Sequence, residues 1–94
     1  MNQKGGDKMI LQEAWLKCNI SEGLLPEEFA VSCKTTDNGK FSFFVTKSLI
    51  NLSTSSVKVN VLECKENICL VFLPTTPIES FGRTVKVFKD DVKI

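Results

Sequence analysis

Apolar and polar residues alternate along most of this chain, and valine, isoleucine and phenylalanine occupy many of the apolar positions. Alternation with a period of two is typical of β-strands that bury one face, and these residue types favour extended backbone. Helical periodicity is weak, because residues 10–15 and 48–52 each suggest only a single turn. The pattern therefore predicts six strands, at residues 14–21, 29–35, 40–46, 57–64, 68–73 and 84–89.

The second and third predicted strands are separated by a turn sequence at residues 37–39. A two-residue loop would place Lys34 opposite Phe43, which mixes polar and core positions on one face. A three-residue loop places Cys33 opposite Phe43 instead, and directly opposed residues share a face of the sheet. We therefore predict the three-residue loop, with Gly39 in the left-handed conformation.

A second hairpin is predicted between the fourth and fifth strands, around residues 65–67. In a three-residue loop Asn67 would take the left-handed conformation, which asparagine tolerates better than most residues. A two-residue loop, Glu66 and Asn67, is the alternative, and it would place Cys64 opposite Cys69. The pattern alone leaves both registers open, because the fifth strand is apolar on both faces.

The number of strands and their short connections predict an all-β, mainly antiparallel domain with at most one or two short helical turns. We favour a small six-stranded barrel, either SH3-like or internally duplicated, because residues 68–73 resemble a central strand covered on both faces. A compact two-sheet sandwich is the alternative. A duplication would explain why residues 45–50 and 87–92 share the pattern Val-x-Lys-x-x-Ile/Val, although short strands also match by coincidence.

Length and charge limit the classes of function. The 94 residues carry a net charge of +1, with lysines dispersed among acidic residues, which makes no strong electrostatic case for nucleic acid or an anionic membrane. Residues 1–9 are expected to be a flexible leader and residues 10–94 a single small β domain. No apolar stretch reaches membrane-spanning length and no signal peptide is visible, so we predict a cytoplasmic protein with no membrane partner.

Catalytic chemistry is not visible in the composition. The chain has no histidine and no tyrosine, and its one arginine is Arg83. Histidine-activated nucleophiles are therefore excluded, and the commonest metal ligand is missing. The acidic pairs at residues 27–28 and 90–91 are expected to be solvated, the second pair as caps of a final turn. We predict that the protein is not an enzyme and has no cofactor.

The four cysteines are expected to be reduced in the cytoplasm. Structural zinc sites usually contain two close pairs of ligands, and here only Cys64 and Cys69 are close in sequence. Cys18 and Cys33 lie on apolar strand faces. We therefore interpret all four as small hydrophobic core residues, with zinc and a Cys64–Cys69 disulfide as the alternatives.

Several apolar residues have no obvious place in the predicted core. Trp15 and Phe44 lie opposite the main apolar set of their strands, and Lys17 is a nearby cation. The long connection at residues 74–83 contains further apolar positions, and connections of this length often have a function. The candidate binding residues are Trp15, Phe44, Lys47, Ile78, Phe81 and Arg83.

These observations favour a non-catalytic interaction module that binds another protein or a second copy of itself. A small β domain that binds nucleic acid is the first alternative, and it predicts that lysines cluster beside Phe44 or Trp15 on one face. An enzyme without histidine is the second alternative. The residue pattern does not identify a partner.

Overall fold

The computed structural model describes residues 12–78 and 82–94, so that the expected leader at residues 1–9 lies outside the described residues. The prediction of an all-β, mainly antiparallel fold is confirmed. Two short 3-10 turns, Lys47–Leu49 and Lys89–Asp91, are the helical elements of the described residues. The strands are β1 (Gln12–Lys17), β2 (Asn19–Glu22), β3 (Glu28–Lys34), β4 (Lys40–Thr46), β5 (Ile50–Asn51), β6 (Ser56–Lys65), β7 (Ile68–Phe72), β8 (Thr84–Phe88) and β9 (Val92–Lys93).

The strands form two open sheets, and the prediction of a closed barrel is not confirmed within the described residues. The larger sheet has the order β8-β7-β6-β1-β9, with β5 also paired to β6, and the smaller sheet has the order β2-β3-β4. Closure would require β4 to pair with β8. Instead, the Ser42 carbonyl of β4 accepts a bond from the Ile78 N–H, and the Lys86 carbonyl of β8 accepts one from Thr36.

Both sheets turn their apolar faces toward one core, as the alternating pattern requires. The first predicted strand is divided at Cys18, whose N–H donates to the Ser55 carbonyl at 2.9 Å and so leaves the β2–β3 ladder. β1 therefore belongs to the larger sheet and β2 to the smaller one. The helical turn suggested near residues 10–15 is wrong where it can be compared, since β1 begins at Gln12. The buried core consists of Ala14, Leu16, Cys18, Val31, Cys33, Phe41, Phe43, Val45, Val57, Val59, Val61, Cys69, Val71, Leu73 and Val87.

The β3–β4 hairpin has a longer loop than either register predicted. Val31 lies opposite Phe43 and Cys33 opposite Phe41, which leaves residues 35–39 as the loop. The left-handed residue is Asn38 rather than Gly39. The predicted three-residue register is thus wrong by two positions, but it assigned the faces correctly, because a shift of two residues keeps each side chain on its side of the sheet.

The β6–β7 hairpin has the two-residue loop that was kept as the alternative. Cys64 lies directly opposite Cys69, and the two form a disulfide with a Cα–Cα distance of 4.0 Å. The expectation of reduced core cysteines is therefore wrong for this pair, because the tight loop brings the two side chains together. Glu66 takes the left-handed conformation in place of Asn67.

β7 lies between β6 and β8, but its outward face is only partly covered. Cys69 and Val71 point into the core, whereas Ile68 remains 37% exposed. The expectation of a strand covered on both faces is therefore wrong for the outward face. A continuous apolar run fits a strand buried on both sides, but here no second layer in the described residues covers this sheet.

The strand pairing in the first half of the chain matches that in the second half. Each 3-10 turn is followed by a two-residue strand, and these strands place Ile50 opposite Val57 and Val92 opposite Leu16. Leu16 and Val57 also oppose each other, so the pairing is symmetric about this one pair. Residues 16–22 (LKCNISE) and 57–63 (VKVNVLE) occupy equivalent places and share their lysine, asparagine and glutamate. The second half of the chain therefore repeats the pairing pattern of the first.

Candidate functional site

The outward face of the larger sheet carries a half-buried tryptophan surrounded by lysines. Trp15 lies opposite Lys58 of β6 and opposite Lys93 of β9, and Lys17 follows two residues later on the same face. The Lys58 Nζ lies 5.7 Å from the centroid of the Trp15 ring, within range of a cation–π interaction. An aromatic surface and three cations are thereby brought together around one side chain.

A groove of about 320 Å³ opens beside Trp15, between β1, β9 and the segment that joins β5 to β6. Asp90 and Asp91 line it together with Lys17 and Lys93. The two aspartates lie inside the second 3-10 turn, so the expectation that they cap it is wrong: the preceding cap residue makes no side-chain bond. The groove therefore presents both signs of charge next to an aromatic ring, which suits a polar ligand better than a polyanion.

Phe44 and Lys47 lie on other parts of the molecule. Phe44 is half-buried on the outward face of the smaller sheet, opposite Ala30. Lys47 begins the first 3-10 turn, where its N–H donates to the Glu27 carbonyl at 3.0 Å and its side chain is exposed. The structure therefore places lysines beside Trp15, but does not unite Trp15 with Phe44.

The candidate binding residues of the long connection, Ile78 and Phe81, also lie apart from Trp15 or outside the described residues. The N–H of Ile78 donates to the Ser42 carbonyl of β4 at 2.8 Å, while the Ile78 side chain is 66% exposed. Ile78 thus covers the edge of β4 with its backbone and leaves its side chain open to solvent. Phe81 lies outside the described residues.

Arg83 links the end of β7 to the beginning of β8 through its side chain. Its Nε donates to the Leu73 carbonyl at 3.0 Å, and its Nη2 donates to the Pro74 carbonyl at 2.8 Å. The guanidinium also lies 4.3 Å from the centroid of the Phe72 ring. These contacts explain Arg83 as an anchor of the β7–β8 connection, since the planar fork of arginine satisfies two carbonyl groups at once.

One apolar outward surface of the larger sheet was missed as a site by the sequence analysis. Ile68 and Leu70 of β7 and Phe88 of β8 share this face, and we refer to these three residues as the β7–β8 patch. Ile68 is 37% and Phe88 41% exposed. The unbroken apolar run of β7 was the available signal, but it was interpreted as a strand with both faces covered.

Charged residues on the two neighbouring strands border the β7–β8 patch. Glu63 of β6 and Lys86 of β8 lie on either side of Leu70, in one cross-strand row. A shallow groove of about 270 Å³, lined also by Lys65, crosses this surface. In the described residues the one ion pair joins Lys58 to Glu13, so neither Glu63 nor Lys86 forms an ion pair with another described residue.

The remaining reactive groups are two free thiols. Cys18 and Cys33 are buried, and a hydrogen bond between their side chains lowers the pKa of Cys18 and raises the pKa of Cys33. Burial also raises the pKa of the Cys33 thiol, because it disfavours the charged form. Across the described ranges, no three histidine, cysteine or acidic residues are placed to hold a metal ion.

The fold and the site define a small all-β domain of two open antiparallel sheets with an apolar outward patch. Comparison with protein-family models, with curated proteins and with solved structures finds no match. Among the described residues, no helix is both long enough and apolar enough to cross a membrane.

Proposed function

We propose that the protein is a non-catalytic interaction module that associates with a second copy of itself through the β7–β8 patch. The observation that supports this proposal is the β7–β8 patch itself, in which Ile68 and Phe88 are exposed and the half-buried Leu70 lies between Glu63 and Lys86. Lys65 lies beside Glu63 on the same border, opposite Ile68. Exposed apolar patches of this kind commonly mark interaction surfaces.

A second copy fits the order of charges on this surface. When two sheets pack face to face about a twofold axis parallel to β7, β6 of one copy lies over β8 of the other. Glu63 of one copy then faces Lys86 of the other, twice, while the Leu70 and Ile68 side chains meet at the axis. Complementary charges at the border of an apolar contact fix its register and disfavour other partners.

The test is the oligomeric state of the full chain, measured by sedimentation equilibrium over a range of protein concentrations. We expect the wild type to form dimers at micromolar concentration. Glu63→Lys would oppose like charges at both borders, so we expect the dimer dissociation constant to rise at least tenfold. The double variant Glu63→Lys with Lys86→Glu restores opposite charges and should recover the wild-type constant.

Two further variants make this test specific to the patch. Leu70→Glu should abolish the dimer, because it places a charge in the apolar contact. Ser21→Glu, on the outward face of β2, adds the same charge elsewhere and should leave the dimer unchanged. A wild type that stays monomeric at high micromolar concentration, or a dimer that survives Leu70→Glu, would overturn self-association through this surface.

The cellular compartment bears on the same proposal. The cytoplasmic location expected from the sequence keeps thiols reduced, whereas the Cys64–Cys69 disulfide persists in an oxidising compartment. Alkylating the protein at the moment of lysis distinguishes the two when Cys64 and Cys69 are followed individually: alkylated Cys64 and Cys69 support the cytoplasm, and a bond between them supports an oxidising compartment.

Binding of single-stranded nucleic acid at the Trp15 groove is a second candidate, favoured by one specific observation. Lys17, Lys58 and Lys93 gather around Trp15, as this hypothesis predicted. The candidate ranks second because three carboxylates occupy the same region: those of Glu13, which pairs with Lys58 at 3.7 Å, and of Asp90 and Asp91. Equal numbers of cations and anions remove most of the attraction for a phosphate backbone.

Trp15 is the one tryptophan of the chain, so its fluorescence reports on this groove alone. Titration with a short single-stranded DNA at low salt should leave the fluorescence unchanged if the groove does not stack bases. Quenching that weakens steeply with added salt and is lost in Lys93→Glu would establish the second candidate instead.

A further inference from the structure

We propose that Cys18 and Cys33 form a redox-active thiol pair that closes into a second cross-strand disulfide. The β2–β3 ladder begins with Asn19 opposite Ser32. Cys18 and Cys33 each lie one residue beyond this pair, outside the ladder itself, and both side chains are buried in the core.

The placement of the two cysteines suits a disulfide. Directly opposite residues of an antiparallel pair have Cα atoms about 4.5 to 5.5 Å apart, and most disulfides span about 4.4 to 6.8 Å. Cys18 and Cys33 both point into the core, and their thiols hydrogen-bond to each other. The two sulfur atoms are therefore neighbours before the disulfide forms. Formation of the disulfide does not require the strands to change their register.

A path for a small oxidant reaches this pair. Both cysteines line a groove of about 200 Å³, with Lys17 and Lys34 at its sides. Cys18 is 7% and Cys33 3% exposed, so Cys18 is the more accessible residue of the two. Asp91 also lines this groove. The hydrogen bond with the Cys33 side chain lowers the pKa of the Cys18 thiol, although burial raises it, and the thiolate is the reactive form.

The reaction that we propose uses a small-molecule disulfide such as oxidised glutathione. The Cys18 thiol gives its proton to solvent, and the thiolate attacks one sulfur of this disulfide, which forms a mixed disulfide and releases one small thiolate that takes up a proton from solvent. Cys33 then gives its proton to solvent and attacks the Cys18 sulfur, which releases the second small thiolate. The two protein thiols are thereby oxidised, and the small disulfide is reduced to two thiols.

Mass spectrometry of the unreduced protein tests this step directly. The chain has no lysine or arginine between Cys18 and Lys34, so trypsin releases both cysteines in one peptide, residues 18–34. After treatment of the wild type with oxidised glutathione we expect this peptide to lose two hydrogens, and both of its thiols to disappear together. Glu22, Glu27 and Glu28 allow a second protease to confirm the link between the two halves of the peptide.

Two variants separate the roles of the cysteines. In Cys33→Ala the second step is blocked, so a glutathione adduct should accumulate on Cys18. In Cys18→Ala the buried Cys33 should stay unmodified. A stable adduct on Cys18 of the wild type, two thiols that remain free, or a bond formed only between chains would each overturn the proposal. Because the peptide mass is read on the wild type, the test does not depend on the folding of a variant.

Discussion

The first meander, β2–β3–β4, and the second, β6–β7–β8, follow the same pairing order, yet they differ in two respects. The first turns small and polar residues outward, with Phe44 as its one large apolar side chain there. The second turns Ile68, Leu70 and Phe88 outward. Equivalent inward faces with different outward faces show that the core constrains only half of each strand, which leaves the other half free to acquire an interaction surface.

The two meanders also hold their hairpins by different means. In the first, the Thr35 N–H donates to the Gly39 carbonyl, the Gly39 N–H donates to the Thr35 hydroxyl, and that hydroxyl donates to the Asp37 carboxylate. In the second, the Cys64–Cys69 disulfide closes a two-residue loop. A local hydrogen-bond network thus fixes the register of one hairpin, and a covalent bond fixes that of the other. The stability of each hairpin should therefore respond to a different change, loss of the network or reduction of the disulfide.

The largest effect should separate the inward from the outward face of one strand. Phe43 is 1% exposed within the core, so Phe43→Ala should lower the free energy of unfolding by about 3 to 5 kcal/mol. Its neighbour Phe44 lies on the outward face, and Phe44→Ala should cost less than about 1 kcal/mol. Urea unfolding of both variants measures the difference. Equal losses would mean that the outward face of the first meander is also part of a core.

Removal of the disulfide should have the next largest effect, and it should act on the second meander. Closing so short a loop stabilises the folded state by about 2 kcal/mol in the chain-entropy treatment. We expect the urea midpoint of the wild type to fall when a reductant is added. The double variant Cys64→Ala with Cys69→Ala should be insensitive to the reductant; a midpoint that still falls would assign the effect to another bond.

Loss of the Arg83 fork should weaken the end of the second meander. Arg83→Lys keeps the charge but cannot donate to the Leu73 and Pro74 carbonyls at once, so we expect the free energy of unfolding to fall by about 1 to 2 kcal/mol. Lys34→Ala, an exposed cation of the first meander, should change it by less than about 0.5 kcal/mol. Unchanged stability of Arg83→Lys together with weakened self-association would return Arg83 to the binding residues.

The smallest effect concerns the loop of the first meander. Hydrogen bonds from the Thr35 hydroxyl and from backbone N–H groups lower the pKa of Asp37 below its ordinary value of 3.8. A lowered pKa stabilises the folded state above the ordinary value, and this contribution is lost as the pH falls through the folded-state pKa. The melting temperature of Asp37→Asn should therefore lie slightly below that of the wild type at pH 6 and approach it near pH 2. A constant difference over this range would exclude the charge as its cause.

The positions of the long strands could be predicted from the sequence because alternation is a local property. Residues 40–46 were predicted with the bounds of β4, and β3, β6, β7 and β8 differ from their predicted ranges by at most one residue at either end. Residues 14–21 were predicted as one strand, where the structure has β1 and β2. β5 and β9 were missed, since two residues are too few to show a period. The division at Cys18 was missed because alternation continues across it, while the change of hydrogen-bond partner to Ser55 depends on a distant segment.

The candidate site was predictable only in part. The aromatic side chain of Trp15 was singled out, but Lys58 and Lys93 join it through pairing with β6 and β9, which local sequence does not specify. Arg83 was placed among the binding residues because its carbonyl partners at Leu73 and Pro74 become apparent only in the folded loop.

The sequence by itself determined that this chain forms short strands and which side chain of each strand faces inward, because side-chain direction follows from the two-residue period. Tertiary structure alone decided the membership of each strand in a sheet, the loop lengths of the hairpins and the pairing of the cysteines. It also decided that the outward face of β7 stays open, since coverage of a face depends on contacts between residues far apart in the chain.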